Sequence, residues 1–183
     1  ANGKLLQNEL WGAEQKRLLN MLHKWLRYEY DMQAKWDFVP CAVEWAFNNK
    51  EGAPLRFKLE DGQKFAIMGR VDRIDKNGDK VFVTDYKLGS VPAVDDLPNG
   101  VDLQLPIYLL AANKLYGKEV AGGGYLSMKE GKRKNNVKLD ASQEFPFMDK
   151  RSKDHFVNIE DRWLAFKEGS EKLLCSYVQG IYD

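Results

Sequence analysis

The chain has 183 residues, 44% of them hydrophobic, enough for one domain with a buried core and well above the range of disordered chains. Its 28 Lys and Arg nearly cancel its 27 Asp and Glu, so the field of the whole molecule does not gather polyanions and any nucleic-acid contact must be local. No apolar run approaches the roughly 18 residues of a membrane span, and ANGKLLQNEL carries no signal-peptide stretch, so the expected class is neither membrane, secretory nor collagenous. Cys41 and Cys175 stand far apart and fit neither a CxxC metal pattern nor a disulfide framework. They are expected to be small buried side chains in a reducing compartment.

From about Leu5 to Lys35, Leu18, Leu22, Trp25 and Leu26 recur at helical spacing without proline, which predicts one or two helices. From Phe38 the pattern changes to short alternating runs, VPCAVEWAF, LRFKL, KFAIMGRVDRID and DKVFVTDYKLG, separated by EGAP, EDGQ and KNGD. These predict four strands. VDLQLPIYLLAANKLYG reads as a helix with Pro106 in its first turn and Gly117 as its stop. EVAGGGYLSM reads as a further strand, EGKRKNN as a loop, and a last helix spans about Ile159 to Gln179. Strand, helix, strand makes a crossover available, so a mixed sheet flanked by helices in a single α/β domain is expected.

The Asn77-Gly78 pair is a strong signal for a two-residue hairpin. With these as turn residues, Lys76 faces Asp79 and Asp72 faces Val83. Period two then puts Asp72, Ile74, Val81, Val83, Asp85 and Lys87 on one face, apolar near the turn and charged further away. Asp72 and Asp85 become diagonal neighbours able to reach a common point. Two carboxylates on covered strands repel unless a proton or cation lies between them, and their oxygens with water suit Mg²⁺ or Mn²⁺. Lys87 is placed to stabilise charge on a phosphate. An Asp–Lys ion pair on an exposed sheet face fits the spacing equally well.

GRVDRID at 69–75, TDYKLG at 84–89 and LQLPIYLLA at 103–111, in that order and spacing, resemble the RecB-like nucleases of the PD-(D/E)XK superfamily. The likeness extends to the C-terminal nuclease domain of AddB-type subunits of bacterial helicase–nucleases. The resemblance implies a restriction-endonuclease-like α/β core. Asp72 and Asp85 would be metal-binding acids, Lys87 the catalytic lysine and the Tyr86 carbonyl a further metal ligand. Gln104 and Tyr108 would be the Q-x-x-x-Y pair, on one helix face at i, i+4, helping to place DNA. Glu44 in AVEWAF matches an acidic strand position of the family. The implied activity is metal-dependent DNA exonuclease chemistry on single strands. It would belong to an ATP-dependent helicase–nuclease that acts with a helicase motor in double-strand break repair and recombination, in the bacterial cytoplasm.

Two family features are missing. No Gly-x-x-x-His helix precedes the strands, since His23 in LLNMLHKWL lacks the glycine and reads as a helix-surface residue. The iron–sulfur cysteines of AddB-type domains have no counterpart in Cys41 or Cys175, so such a cluster is expected only in a longer protein. Both gaps sit at the ends, so the expected organisation is a nuclease core cut from a larger protein. Within it, 1–36 is a helical lead-in, 38–128 the catalytic sheet and helix, and 129–183 a basic loop and final helix. A nuclease-like module that binds DNA or scaffolds a complex without cutting, and a phage or CRISPR-associated exonuclease of the same superfamily, are the alternatives.

Lys129, Lys132, Arg133, Lys134 and Lys138 face only Glu130 and fit a solvated loop or a phosphate-contacting one. Of these, Lys132 and Arg133 are assigned to substrate. Arg70 is expected on the site face near a phosphate, whereas Arg73 fits a structural ion pair. The five tryptophans fit core packing. Gly122-Gly123-Gly124 lacks the spacing of a phosphate-binding loop.

Overall fold

β-branched and aromatic residues at alternate positions drive 39–87 into strands whose apolar side chains need cover on both faces. The computed structural model describes residues 9–50, 52–93, 100–148 and 161–182. In chain order the elements are α1 (Glu9–Gln33), β1 (Val39–Phe47), β2 (Leu55–Lys58), β3 (Lys64–Ile67), β4 (Gly69–Asn77), β5 (Lys80–Lys87), α2 (Gln104–Ala111), β6 (Glu119–Ser127), β7 (Lys132–Lys138) and α3 (Arg162–Tyr182). The predicted helix starts at Leu5 and Ile159 lie outside the described residues.

Five strands form one sheet in the order β1-β4-β5-β6-β7, and β2 and β3 form a separate hairpin. Among the described residues β5 and β6 run parallel, and the other neighbours in this sheet are antiparallel. The connection between β5 and β6 passes through α2, which gives the expected crossover and mixed sheet. Ile74, Val81 and Val83 face α2 and pack with Leu105, Leu109 and Leu110, joined by Phe166 and Leu174 of α3. Phe82 points to the opposite face, into a cluster with Trp36, Phe38, Ala121 and Phe145. On that side α1 lies against the sheet, with Trp25 meeting Tyr86 edge to face at 6.2 Å.

Several expectations need correction. KFAIMGRVDRID is not one strand but two, since Met68 breaks β3 from β4 and turns exposed at 58%. The hairpin loop is Gly78-Asp79, with Asn77 paired to Lys80. Gly78 takes the left-handed conformation at φ 58 while Asp79 does not, the pattern in which glycine occupies the first loop position. The register therefore moves by two, so each side chain keeps its face. Extended one pair beyond Arg73–Thr84, the ladder sets Asp72 directly opposite Asp85 rather than Val83.

The basic stretch is not a loop: 132–138 is strand β7, paired with β6. The helix over 101–117 is shorter than expected, starting at Gln104 and closing in a π-helical turn, Ala112–Tyr116, before Gly117. On α1 the leucine stripe faces outward, with Leu18, Leu22 and Leu26 at least 40% exposed, while Met21, Trp25 and Glu29 look inward. Trp11 is exposed, not packed in the core, and Cys41 and Cys175 are free and only half-buried. No helix among the described residues is long and apolar enough to cross a membrane.

Candidate active site

The carboxyl end of β5 gathers the residues singled out in the sequence. Asp85 is 1% exposed there. Its Oδ1 accepts a hydrogen bond from Gln104 Nε2 at 2.7 Å. Its Oδ2 is buried without a hydrogen bond, although Lys87 Nζ forms an ion pair with it at 2.9 Å. Burial pushes the Asp85 pKa up from 3.8 to about 6, against the pull of Lys87 and with the Asp72 and Asp102 carboxylates adding to the rise. Asp72 is tied to the same point, since its Oδ2 accepts from the Tyr86 backbone N–H at 2.8 Å, where the β4–β5 ladder has ended.

Helix α2 closes the site from one side. Gln104 and Tyr108 share a face, and Gln104 Nε2 donates to both Asp85 Oδ1 and the Tyr108 hydroxyl, the latter at 3.0 Å. Lys87 Nζ in turn donates to Gln104 Oε1. The one amide thus holds an acid, a base and a phenol in register. Burial raises the Tyr108 phenol above its ordinary pKa, so its hydroxyl keeps its proton.

Two residues of this site were not foreseen from the sequence. Asp102 Oδ1 accepts from the Gln104 backbone N–H at 3.0 Å, and its other oxygen accepts from the Tyr125 hydroxyl. The Tyr125 ring lies under Lys87 Nζ, 5.6 Å from its centroid. An aspartate two residues ahead of a helix start is an Asx-turn signal that could have flagged Asp102; nothing local could flag Tyr125, which comes from β6.

The remaining candidates are placed differently. Glu44 stands opposite Asp72 in the β1–β4 register, in a left-handed conformation at φ 50, with its side chain 64% exposed and paired to Arg70 at 3.6 Å. Arg70 is 53% exposed in that pair. Lys132 is exposed and 3.7 Å from Glu130.

Arg133 is not at the surface, contrary to its assignment to substrate. Its guanidinium is packed over Trp36 at 4.7 Å and Phe82 at 5.2 Å, and it reaches Asp75 Oδ2 at 3.5 Å. Arg73 completes this buried cluster through Asp75 at 2.8 Å and Glu29 of α1 at 2.6 Å, as its ion-pair expectation required. The cause is strand parity, which turns residues 73, 75, 84 and 133 to the face opposite the site, where only mutual pairing compensates their burial. His23 is on the α1 surface, as expected.

Among the described residues no three His, Cys, Asp or Glu side chains form a group that could hold a metal ion. Two carboxylates that meet at one point, the buried Oδ2 of Asp85 held by the Lys87 ammonium, nevertheless fit a hard divalent ion completed by a backbone carbonyl and water.

The profile of the PD-(D/E)XK nuclease superfamily matches residues 3–178. The chain belongs to that superfamily. Similar curated proteins are each named as a subunit of an ATP-dependent helicase/deoxyribonuclease. The one from Carboxydothermus hydrogenoformans is 29% identical over 160 residues, 83% of this chain and 14% of its own length. That from Clostridium tetani is 34% identical over 99 residues, 51% of this chain and 9% of its own. In Alkaliphilus oremlandii identity is 36% over 106 residues, 52% of this chain and 9% of the relative. This PD-(D/E)XK chain therefore spans about a seventh or less of these relatives.

Proposed function

We propose that this domain is a metal-dependent DNA exonuclease hydrolysing phosphodiester bonds by in-line attack of water. It would serve within an ATP-dependent helicase–nuclease of double-strand break repair and recombination in the bacterial cytoplasm. The observation that carries this is the convergence of Asp72, Asp85, Lys87 and Gln104 at the end of β5. The helicase partner is suggested by the name the relatives share.

Asp72, Asp85 and the Tyr86 carbonyl would hold Mg²⁺ or Mn²⁺. When bound, such an ion supplies Lewis-acid stabilisation of the phosphate and lowers the pKa of water. Lys87 brings its ammonium to the same point and offsets charge that develops on the phosphate oxygens. Gln104 fixes the positions of Asp85 and Lys87 at once. The Tyr108 hydroxyl, already accepting from Gln104, keeps its proton to donate to a phosphate oxygen. Lys132 and Arg70 would contact the strand, while Glu44 stays at its acidic strand position, paired with Arg70. Single-stranded DNA fed by a motor is the proposed substrate, and an iron–sulfur cluster is proposed only for a longer protein.

The test is degradation of single-stranded DNA with Mn²⁺ or Mg²⁺. Activity should vanish in Asp85→Ala and in Lys87→Ala while the circular dichroism spectrum is retained. Activity that survives both substitutions removes the catalytic assignment and leaves a non-cutting module as the better account.

A further inference from the structure

A second polar depression opens directly beyond Lys87. It is lined by the Leu88–Val91 segment that leaves β5 and by Ser127 at the end of β6, which pairs with Lys87 in the parallel register. Arg17 of α1 and Lys129, Glu130 and Lys134 of the β6–β7 hairpin line it too. Its volume is about 590 Å³, within the roughly 300–1,000 Å³ of ligand clefts. It lies beyond the carboxyl ends of the parallel strands, where open α/β sheets receive ligands.

The groove is built, not incidental. Asn135 adopts the left-handed conformation at φ 49, uncommon for a residue with a side chain, and donates to the Pro92 carbonyl, tying β7 to the segment that follows the catalytic strand. Among the described residues, three cations, Arg17, Lys129 and Lys134, and one carboxylate, Glu130, line it. Arg17 and Lys134 have solvent-facing heads, with 56% and 35% of their side chains exposed, and their ion pairs are to Glu14 and Glu130 at the surface. The Lys134 pair is a single exposed contact worth little, whereas Arg17 holds Glu14 through two hydrogen bonds, at 2.7 and 2.6 Å, a fork that a phosphate can take over in the same bidentate geometry. Leu88, 70% exposed beside them, offers apolar cover to an unpaired base.

We propose that this groove holds the phosphates of a single DNA strand next to the scissile one, with Arg17 and Lys134 as its contacts. The inference rests on the nuclease assignment of the Asp72–Asp85–Lys87 site and extends it by giving the strand a path. It also moves the basic contribution away from the buried Arg133 to a helix that the basic stretch alone does not include. Glu130 pairs with Lys134 in the groove, so its neutralisation should improve binding.

The experiment is an anisotropy titration of fluorescein-labelled oligo(dT) in EDTA across a salt series, with bis(p-nitrophenyl) phosphate hydrolysis in Mn²⁺ measured alongside. Each phosphate contact on a single strand contributes a log–log salt slope of about 0.7, so Arg17→Ala with Lys134→Ala should flatten the slope by roughly 1.4 and weaken binding about 25-fold at 0.1 M salt. Hydrolysis of the small ester should be unchanged. Glu130→Gln should tighten oligo(dT) binding, and Lys16→Ala, outside the groove, should leave it unaltered. If the double variant melts early, Arg17→Gln and Lys134→Gln singly should each give about half the slope change. Wild-type affinity and slope in the Arg17 and Lys134 variants overturn the proposal, as does a wild type with no salt-dependent binding. Failure of the nuclease assignment shows separately, as a wild type that binds oligo(dT) yet hydrolyses neither substrate with either metal.

Discussion

Asp85 is a buried acid whose charged form is disfavoured by the fold that displays it, and replacing it with asparagine should expose that conflict. Its pKa rises from 3.8 to about 6 because burial outweighs the nearby Lys87. A raised carboxyl pKa means that the folded state binds the proton more tightly than the unfolded chain. The associated stability is fully present below about pH 4 and is lost as pH rises through about 6. The shift of about two units corresponds to roughly 3 kcal/mol at 1.36 kcal/mol per unit. Asparagine carries no charge at any pH, so the stability of Asp85→Asn relative to wild type should grow by about 2–3 kcal/mol between roughly pH 4 and pH 8. Urea unfolding of both proteins in EDTA at these two pH values measures it. With saturating Mn²⁺ the order should reverse, because only the wild type gains ligand binding in the folded state. A difference that stays flat or shrinks with pH in EDTA would falsify the description of Asp85 as a desolvated carboxylate.

The other expectations concern the supports of the site. Mn²⁺ at a hundred times its dissociation constant should stabilise wild type by about 2.7 kcal/mol in thermal melts, and Asp72→Ala should abolish that gain; a shift retained in Asp72→Ala rules that residue out as a ligand. Gly123→Ala should cost about 1–3 kcal/mol and lower activity, because a Cβ there would stand 2.8 Å from Leu109 Cδ2 and 3.2 Å from Leu105 Cδ1, pushing α2 and Gln104 off the sheet. An unchanged melting temperature would contradict that packing. Arg133→Met should lower stability by about 3 kcal/mol by stripping Asp75 of one of its two cations, while oligonucleotide affinity per folded molecule is unchanged. Lost affinity without lost stability would return Arg133 to the substrate. Gln104→Ala should reduce kcat far more than KM, since the amide positions Asp85 and Lys87; an effect confined to KM would make it a DNA contact instead.

Much of the site was legible because its signals are local. Asp85 and Lys87 lie two residues apart on one strand, and Gln104 and Tyr108 one helical turn apart, so periodicity alone put each pair on a common face. The hairpin was misregistered by two residues, yet the site survived, because a shift of two preserves side-chain facing and a shift of one does not. Arg133 was misjudged for the opposite reason. A run of lysines around an arginine looks like a wet loop until β7 pairs with β6 and parity turns the arginine inward, onto Trp36 and Asp75. The α1 stripe failed similarly, since amphipathic spacing defines a face without saying which face meets the sheet.

The sequence by itself determined most of the helices and strands, the crossover that makes the sheet mixed, and the shared face of Asp72, Asp85 and Lys87, because alternation along a strand and one tight hairpin fix these locally; Gln104 and Tyr108 were singled out by family likeness. Tertiary structure decided which of the positive charges face solvent, that Asp102 and Tyr125 steady Lys87 and Gln104, and that Arg17 and Lys134 line one groove. Those relations join residues far apart in the chain. They are set by how α1, α2 and β7 dock on the sheet, where burial costs and pairing energies are settled between elements and not within them.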